Sequence, residues 1–222
     1  EQLGDKRSRE VRDSSRRLLE AMQEIIHAMA MAVEMRDPYT AGHQQRVANL
    51  ARAIAEAMPL APARTRAVYL AGVIHDLGKI SIPAEILSKP TQLTDIEYSL
   101  INGHPQTAYD ILNGINFPWP IPRIVIQHHE RLDGSGYPRG LSGDAILMES
   151  RILAVADVVE AMSAHRPYRP ALGVGAALAE IRNKSGRLYD GRVVEVAVKA
   201  LAEDNFGFDA TLAHGAAGVA GF

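Results

Sequence analysis

Apolar residues in this sequence recur at intervals of three and four, in blocks cut by glycine and proline, and sustained period-two alternation is hard to find anywhere. This pattern constrains the fold first. A 3.6-residue period lays apolar groups along one helix face, whereas a half-buried strand needs strict alternation. Val47, Leu50, Ile54 and Met58 share such a face and predict a helix over His43 to Met58. A second stretch, from about Ala63 to Asp76, is expected to stop at Gly78, read as a C-terminal glycine. Ser81 to Pro90 is a proline-bounded connection. Thr94-x-x-Glu97 has the form of a capping box opening the next helix, and Pro105 begins or interrupts a stretch running to Leu112. Pro118 to Pro122 introduces a helix ending at His128 and His129. Residues 131 to 148 form a polar, glycine-rich loop. Ser150 to Ala164, Val174 to Lys184 and Arg192 to Glu203 read as further helices. The fold class is all-α, with about eight to ten helices.

The N-terminal segment stands apart. From Ser8 to Met35 there is no Gly or Pro, and Asp37-Pro38 breaks the run. Val11, Leu18, Ile25 and Ala32 recur every seven residues, with Ser15, Met22 and Met29 between them. This is a coiled-coil-like seam of about three heptads. Two readings stand: a helix packed on its own domain, or a signalling helix from an upstream sensor that pairs with its twin. Arg16 and Arg17 would line its wet face. The expected organisation is a linker helix over 1–31, a main domain over 32–203, and a Gly- and Ala-rich tail over 204–222. The chain opens at Glu1 without an initiating methionine and is read as a region of a longer protein.

Composition narrows the function. The 222 residues carry a formal net charge of -2, which gives no support to broad nucleic-acid binding. Cysteine is absent, so any metal must be held by imidazole and carboxylate. No apolar stretch approaches the ~20 residues of a membrane span, no signal peptide is visible, and a cytoplasmic domain is the default expectation.

Of eight histidines, His43, His75, His104, His128 and His129 sit near predicted helix ends or beside breakers. Asp76 follows His75, and Asp157 lies within the apolar run ILAVADVVEAM. Taken singly, each reads as a hydrogen-bonded core residue; the set carries the argument. Neighbours on a helix diverge by about 100°, so His75 with Asp76, and His128 with His129, reach one site only if it is extended or lies across a helix end. One ion would leave some of these donors without a role. Two ions bridged by Asp76 use them all, with His75, His104, His128, His129 and Asp157 around the pair.

HDLGK at 75–79 resembles the signature of the HD superfamily of metal-dependent phosphohydrolases, and HHERLDGSGYP at 128–138 adds the loop that names its HD-GYP branch. RDPYTAGH (36–43), HDLGKISIP (75–83), RILAVAD (151–157) and RPYRPAL (166–172) extend the resemblance from about Ala32 to Leu201. It implies an HD-type helical bundle, cyclic di-GMP phosphodiesterase activity, and metal ligands at His75, Asp76, His104, His128, His129 and Asp157. His43 matches a position that binds an additional metal in some members. Tyr39 stands where those members can have glutamate, which favours two ions over three and leaves His43 as a partial ligand or substrate contact. Lys79, Arg166 and Arg169 match phosphate-contacting positions. Within the loop, Gly134 and Gly136 allow a sharp exit from the helix, Pro138 stiffens it, and Tyr137 lies at the pocket rim. Asp133 ties the loop locally, while Glu130 and Arg131 pin it rather than react.

The implied reaction is hydrolysis of the 3′–5′ bonds of cyclic di-GMP, through pGpG to GMP, by a hydroxide bridging the metals. Lys79 adds positive charge near the phosphate. The resemblance leans towards iron or manganese, with zinc also compatible with the donors. Two alternatives stand beside it: a catalytically silent cyclic di-GMP-binding module, and a phosphodiesterase for another cyclic dinucleotide such as hybrid cGAMP. Expected partners are cyclic di-GMP, a second copy through the N-terminal helix, and diguanylate cyclase domains at the GYP loop.

Overall fold

Helix α2 (His43–Ala57) buries Val47, Leu50, Ala51 and Ile54 on one face. It packs most extensively on α3 (Pro62–Ile74) and then on α8 (Met148–Ser163). The computed structural model describes residues 2–36, 41–164 and 171–203, and among them it holds ten α-helices and no strand. These are α1 (Gln2–Glu34), α2, α3, α4 (Ala84–Leu87), α5 (Asp95–Asn102), α6 (His104–Leu112), α7 (Ile121–Ile126), α8, α9 (Val174–Asn183) and α10 (Gly191–Glu203). Two 3-10 turns, Leu77–Ser81 and Gly143–Ala145, complete the list. The all-α expectation is met. The tail over 204–222 lies outside the described residues.

One core runs through the bundle. Leu70 and Ile74 of α3, Ile121 and Ile124 of α7, Ile152 and Leu153 of α8 and Ile181 of α9 are fully buried in it. Each such side chain contributes about 1.5–3 kcal/mol by leaving water. At one end the fork of Arg64 grips the buried Glu149, with contacts of 2.6 and 2.9 Å, and joins α3 to the first turn of α8. No helix among the described residues is long and apolar enough to cross a membrane.

Helix α1 divides its faces. Ile26, Ala30 and Val33 enter the common core, and Met22 and Met29 pack partly against it. Val11, Leu18 and Ile25, seven residues apart, are 65%, 69% and 61% exposed. The single seam expected from the sequence is therefore split: its methionines face the domain, and its first three heptad residues face solvent. Arg16 sits on the wet side, 3.6 Å from Asp13 and 3.8 Å from Glu20.

Other departures have local causes. Helix α3 ends at Ile74 rather than Asp76, because His75 turns its ring back on the carbonyl of Gly72 and a 3-10 turn begins at Leu77. Gly78 is not the C-terminal glycine expected: α3 has already ended at Ile74, and its φ is not positive. It lies where the 3-10 turn meets α6, and a Cβ there would fall 1.9 Å from the carbonyl oxygen of His104. The Ser81–Pro90 connection contains α4, one short turn of helix. The capping box forms as expected: Glu97 N donates to Thr94 Oγ1 at 3.3 Å, and Thr94 N donates to Glu97 Oε2 at 2.7 Å.

Candidate metal centre

Three histidines reach back to the last turn of the helix before them: His75 follows α3, His104 opens α6 just beyond α5, and His128 lies two residues past α7. His75 Nδ1 donates to Gly72 O at 2.8 Å, His104 Nδ1 to Ile101 O at 2.7 Å, and His128 Nδ1 to Val125 O at 2.6 Å. The acceptor is in each case the carbonyl three residues back, in the last turn of the preceding helix, where the regular hydrogen-bond ladder runs out. A carbonyl can only accept, so each Nδ1 carries a proton, and in the neutral rings of His104 and His128 Nε2 presents a bare lone pair. This explains the position of these histidines at predicted helix ends. The backbone itself sets the tautomer and aims the other nitrogen inward.

The Nε2 atoms converge. Those of His104 and His128 lie 3.3 Å apart, with both rings almost wholly buried. Two acceptors facing each other repel unless a cation lies between or beside them. Asp76 and Asp157 complete the set. Asp76 Oδ1 is 3.3 Å from His104 Nε2, while its Oδ2 is 3.6 Å from His75 Nε2 and 3.8 Å from His43 Nε2. Asp157 Oδ1 is 3.4 Å from His43 Nε2 and 3.9 Å from His75 Nε2, and its Oδ2 is 3.9 Å from His129 Nδ1. Each carboxylate therefore turns one oxygen to each side. The donors fall into overlapping triads, His104–His128–His129 on one side and His43–His75–Asp157 on the other, joined by His75–Asp76–His128. Within each triad the ligating atoms lie within 4.8 Å of one another.

Charge suits the same chemistry. Burial pushes His104 down to about 4 and His128 to about 3, and it holds His129 well below the usual imidazole range. These rings are neutral at pH 7, as ligands must be. Burial pushes Asp76 and Asp157 up, but Lys79 and the imidazoles around Asp76, and the His43 hydrogen bond with its neighbours around Asp157, hold both carboxyls well below the usual range. Burial pulls His43 down, yet hydrogen bonds to Asp157 and Glu160 outweigh it and raise the ring to about 9. A bound cation would take the place of that proton. Neutral nitrogens and ionised carboxylates in one buried cluster fit divalent metal ions.

All six expected ligands and His43 thus come together. Lys79 Nζ lies 2.7 Å from Asp76 Oδ2, at the edge of the cluster. The Tyr137 ring covers His129, with centroids 4.7 Å apart and planes at 34°. The loop behaves as its residues indicate. Glu130 is buried and accepts from Arg139 N at 2.8 Å and Leu141 N at 2.9 Å. Asp133 accepts from Ser135 N at 3.0 Å. Gly134 takes a left-handed φ of 80°; Gly136 does not, but a Cβ on it would meet His129 O at 2.4 Å. Arg131 lies over the Tyr189 ring, 5.3 Å from its centroid. Tyr39, Arg166 and Arg169 lie outside the described residues.

Sequence reasoning missed Glu160. Its carboxylate is 1% exposed, bonds His43 Nδ1, and accepts from Arg46 Nε at 2.7 Å. The signal available was its spacing: Glu160 falls three residues after Asp157 in an apolar helix, on the same face.

A profile described as an HD domain matches residues 27–193. The chain is 39% identical over 196 residues to the cyclic di-GMP phosphodiesterase response regulator RpfG of Xanthomonas campestris, covering 84% of this chain and 52% of that protein. It is 38% identical to the 3′3′-cGAMP-specific phosphodiesterase 1 of Vibrio cholerae, covering 82% and 42%. It is 39% identical to a cyclic di-GMP phosphodiesterase of Thermotoga maritima, covering 79% and 48%. The chain spans about half the length of the curated relatives it matches. Among solved structures, the cyclic GMP-AMP-specific phosphodiesterase V-cGAP3 of V. cholerae shares the fold, with a TM-score of 0.66 at 18% identity over 86% of this chain and 52% of that one. So does the HD domain of PgpH from L. monocytogenes, with a TM-score of 0.56 at 20% identity over 78% and 93%. With its profile match, its ordered motifs and this fold, the chain belongs to the HD-domain family, in the HD-GYP branch.

Proposed function

We propose that this domain is a divalent-metal-dependent phosphodiesterase that hydrolyses the 3′–5′ bonds of cyclic di-GMP, through pGpG to GMP. The observation that carries the reading is the opposed pair of bare Nε2 lone pairs on His104 and His128, flanked by two ionised carboxylates. His104, His128 and His129 would hold one ion, and His43, His75 and Asp157 a second, with Asp76 between them. Bound there, the ions supply Lewis acidity, lowering the pKa of water and neutralising phosphate charge. Iron or manganese is the preferred identity.

The protein's own groups do the rest. Asp76 spans both halves and is anchored by Lys79, whose side chain at the edge of the cluster would set positive charge against the negative charge of an incoming phosphate. Tyr137 shields His129 and narrows the approach of water to that half. Arg166 and Arg169 are assigned to the phosphate whose bond is not being cut, on the family resemblance. The exposed part of the loop, Asp133, Ser135 and 138–140, is the surface assigned to diguanylate cyclase domains. The free heptad residues of α1 are assigned to a second copy of the chain.

A second reading has support of its own: relatives named for 3′3′-cGAMP match as well as those named for cyclic di-GMP, at 38% against 39% identity. A silent receptor is less well supported, because every ligand position is filled. One experiment separates the three. Protein loaded with Mn²⁺ or Fe²⁺ without oxygen is incubated with each dinucleotide, and products are followed by chromatography. Turnover of cyclic di-GMP that Asp76→Ala abolishes is the expected result. Full activity in a metal-replete Asp76→Ala protein defeats the assignment. Product from cGAMP alone selects the second reading, and binding without product selects the receptor.

A further inference from the structure

Two carboxylates from distant parts of the chain hold His43. Glu160 of α8 fixes the ring: it bonds His43 Nδ1, leaving Nε2 towards Asp157 and Asp76, and it is itself gripped by Arg46 one turn further along α2. Glu34, in the last turn of α1, fixes the backbone: Gly42 N donates to its Oε2 at 3.0 Å and Gln44 N to its Oε1 at 3.2 Å. These amides flank His43. Helix α2 starts from a left-handed Gly42 (φ 70°) with no capping side chain of its own. Glu34 therefore serves as an N-terminal cap supplied by another helix, meeting free N–H groups and the positive end of the α2 dipole with negative charge. Arg36, two residues on, donates to Ile80 O and, at 3.2 Å, to Ile82 O. Those carbonyls close the 3-10 turn that carries Lys79 and follows Asp76. The end of α1 thus touches the chain on both flanks of the cluster.

The two halves of the cluster differ in their supports. His104 and His128 are oriented by carbonyls of the helices that precede them, as His75 is. His43 differs: its Nδ1 is held by a carboxylate on another helix, Glu160, and its flanking amides by Glu34. We propose that Glu34 and Glu160 are positioning residues for His43, and that through Glu34 the docked end of α1 sets the affinity of the His43–His75–Asp157 half for its divalent cation. This rests on the metal-centre reading above. Linkage makes the effect reciprocal: if a docked α1 tightens cation binding, the cation tightens the docking of α1 by the same factor. An input that rotates or withdraws α1 then lowers occupancy of one half while leaving the other filled.

The test is titration of Mn²⁺ into chelator-stripped protein, with stoichiometry from metal analysis and affinities from calorimetry. The unaltered chain is expected to bind two ions. Removal of an outer partner of a metal-bound histidine weakens binding about 10- to 100-fold. Glu160→Gln should therefore weaken one of the two ions by roughly that factor, with partial rescue by Glu160→Asp. Glu34→Ala should weaken the same ion about 5- to 10-fold. Arg16→Ala, on the exposed face of α1, should change neither. Hydrogen exchange at the Gly42 and Gln44 amides should slow on Mn²⁺ loading. If Glu34→Ala disturbs the helical circular dichroism, Glu34→Gln replaces it, since its amide turns a donor towards the N–H groups without changing shape. Two ions bound with unchanged affinities in the Glu34 variant, or equal weakening of both, overturn the coupling and leave the metal centre standing. No cation bound by the unaltered chain overturns the reading beneath it.

Discussion

His104 Nε2 and His128 Nε2 stand 3.3 Å apart, and the Nδ1 of each ring already donates to a backbone carbonyl. No proton remains to lie between them, so the contact is a repulsion that the fold holds in place. Proteins keep such arrangements in a core when something outside the chain relieves them. A cation does so, and the ionised Asp76 and Asp157 balance its charge.

Relief of that repulsion should be visible as stability. A ligand that binds only the folded state at a hundred times its dissociation constant adds about 2.7 kcal/mol. For a chain of this length that corresponds to a rise in Tm of roughly 5–10 °C. Stripping with a chelator is expected to lower Tm by this amount, and adding back Mn²⁺ or Fe²⁺ should restore it. Calorimetric scans of the two forms check this, and identical melting would contradict the role given to the cluster.

Gly78 offers a test of how closely the metal-side elements approach. A methyl group there would lie 1.9 Å from His104 O and 2.7 Å from Ala108 N, both backbone atoms that no rotamer change can move. Gly78→Ala must push α6 away from the 3-10 turn, shifting His104 relative to Asp76. Overpacking of this kind costs about 1–3 kcal/mol. A Tm lower by several degrees, together with loss of bound metal, is the expected outcome; a chemical denaturation curve and metal analysis measure both.

Much of this was legible in the sequence, for reasons that differ by residue. Helix spans follow from local signals, such as the Thr94–Glu97 box and the periodic face of α2, and these formed as read. His75, His104 and His128 were legible as members of a set of histidines near predicted helix ends or breakers, and the i-3 carbonyl that orients each one is a local partner. Glu34, Arg36 and Glu160 were not legible. Glu34 and Glu160 are ordinary charged residues in helices and Arg36 lies in the turn after α1, and their roles exist only because α1, α2, α8 and the 3-10 turn meet in space. Gly78 misled for the same reason, since a glycine at a close approach and a glycine at a cap look alike in one dimension.

Acid should weaken the fold through Asp190. Burial pushes this carboxyl up, but hydrogen bonds from Arg192 and Arg151 outweigh it and hold it at about 2, below its ordinary 3.8. Arg151 Nη1 reaches it at 2.9 Å and Arg192 N donates to it at 3.0 Å, so it ties α8 to the start of α10. A depressed carboxyl contributes stability that is present above the unfolded value and lost as pH falls through the folded one. Urea midpoints are therefore expected to fall between about pH 4 and pH 2, with a shallower fall in Asp190→Asn. Equal slopes for the two proteins would remove this group from the account.

The free face of α1 gives the last prediction. Val11, Leu18 and Ile25 are more than three-fifths exposed and seven residues apart, the repeat that brings two helices together in a left-handed supercoil. The face that holds α1 to its own domain is a different one, built on Ile26, Ala30 and Val33. Changes on the two faces should therefore separate. Leu18→Glu places a charge in the proposed seam, at a side chain that is 69% exposed. It is expected to convert a dimer to a monomer by light scattering while leaving the helical content and the bound metal unchanged. Ile26→Ala removes a core side chain at a cost of about 2–5 kcal/mol, and it should lower Tm without first changing the mass. A wild-type chain that is monomeric at high concentration would leave the heptad residues without a partner and remove the second copy from the proposal.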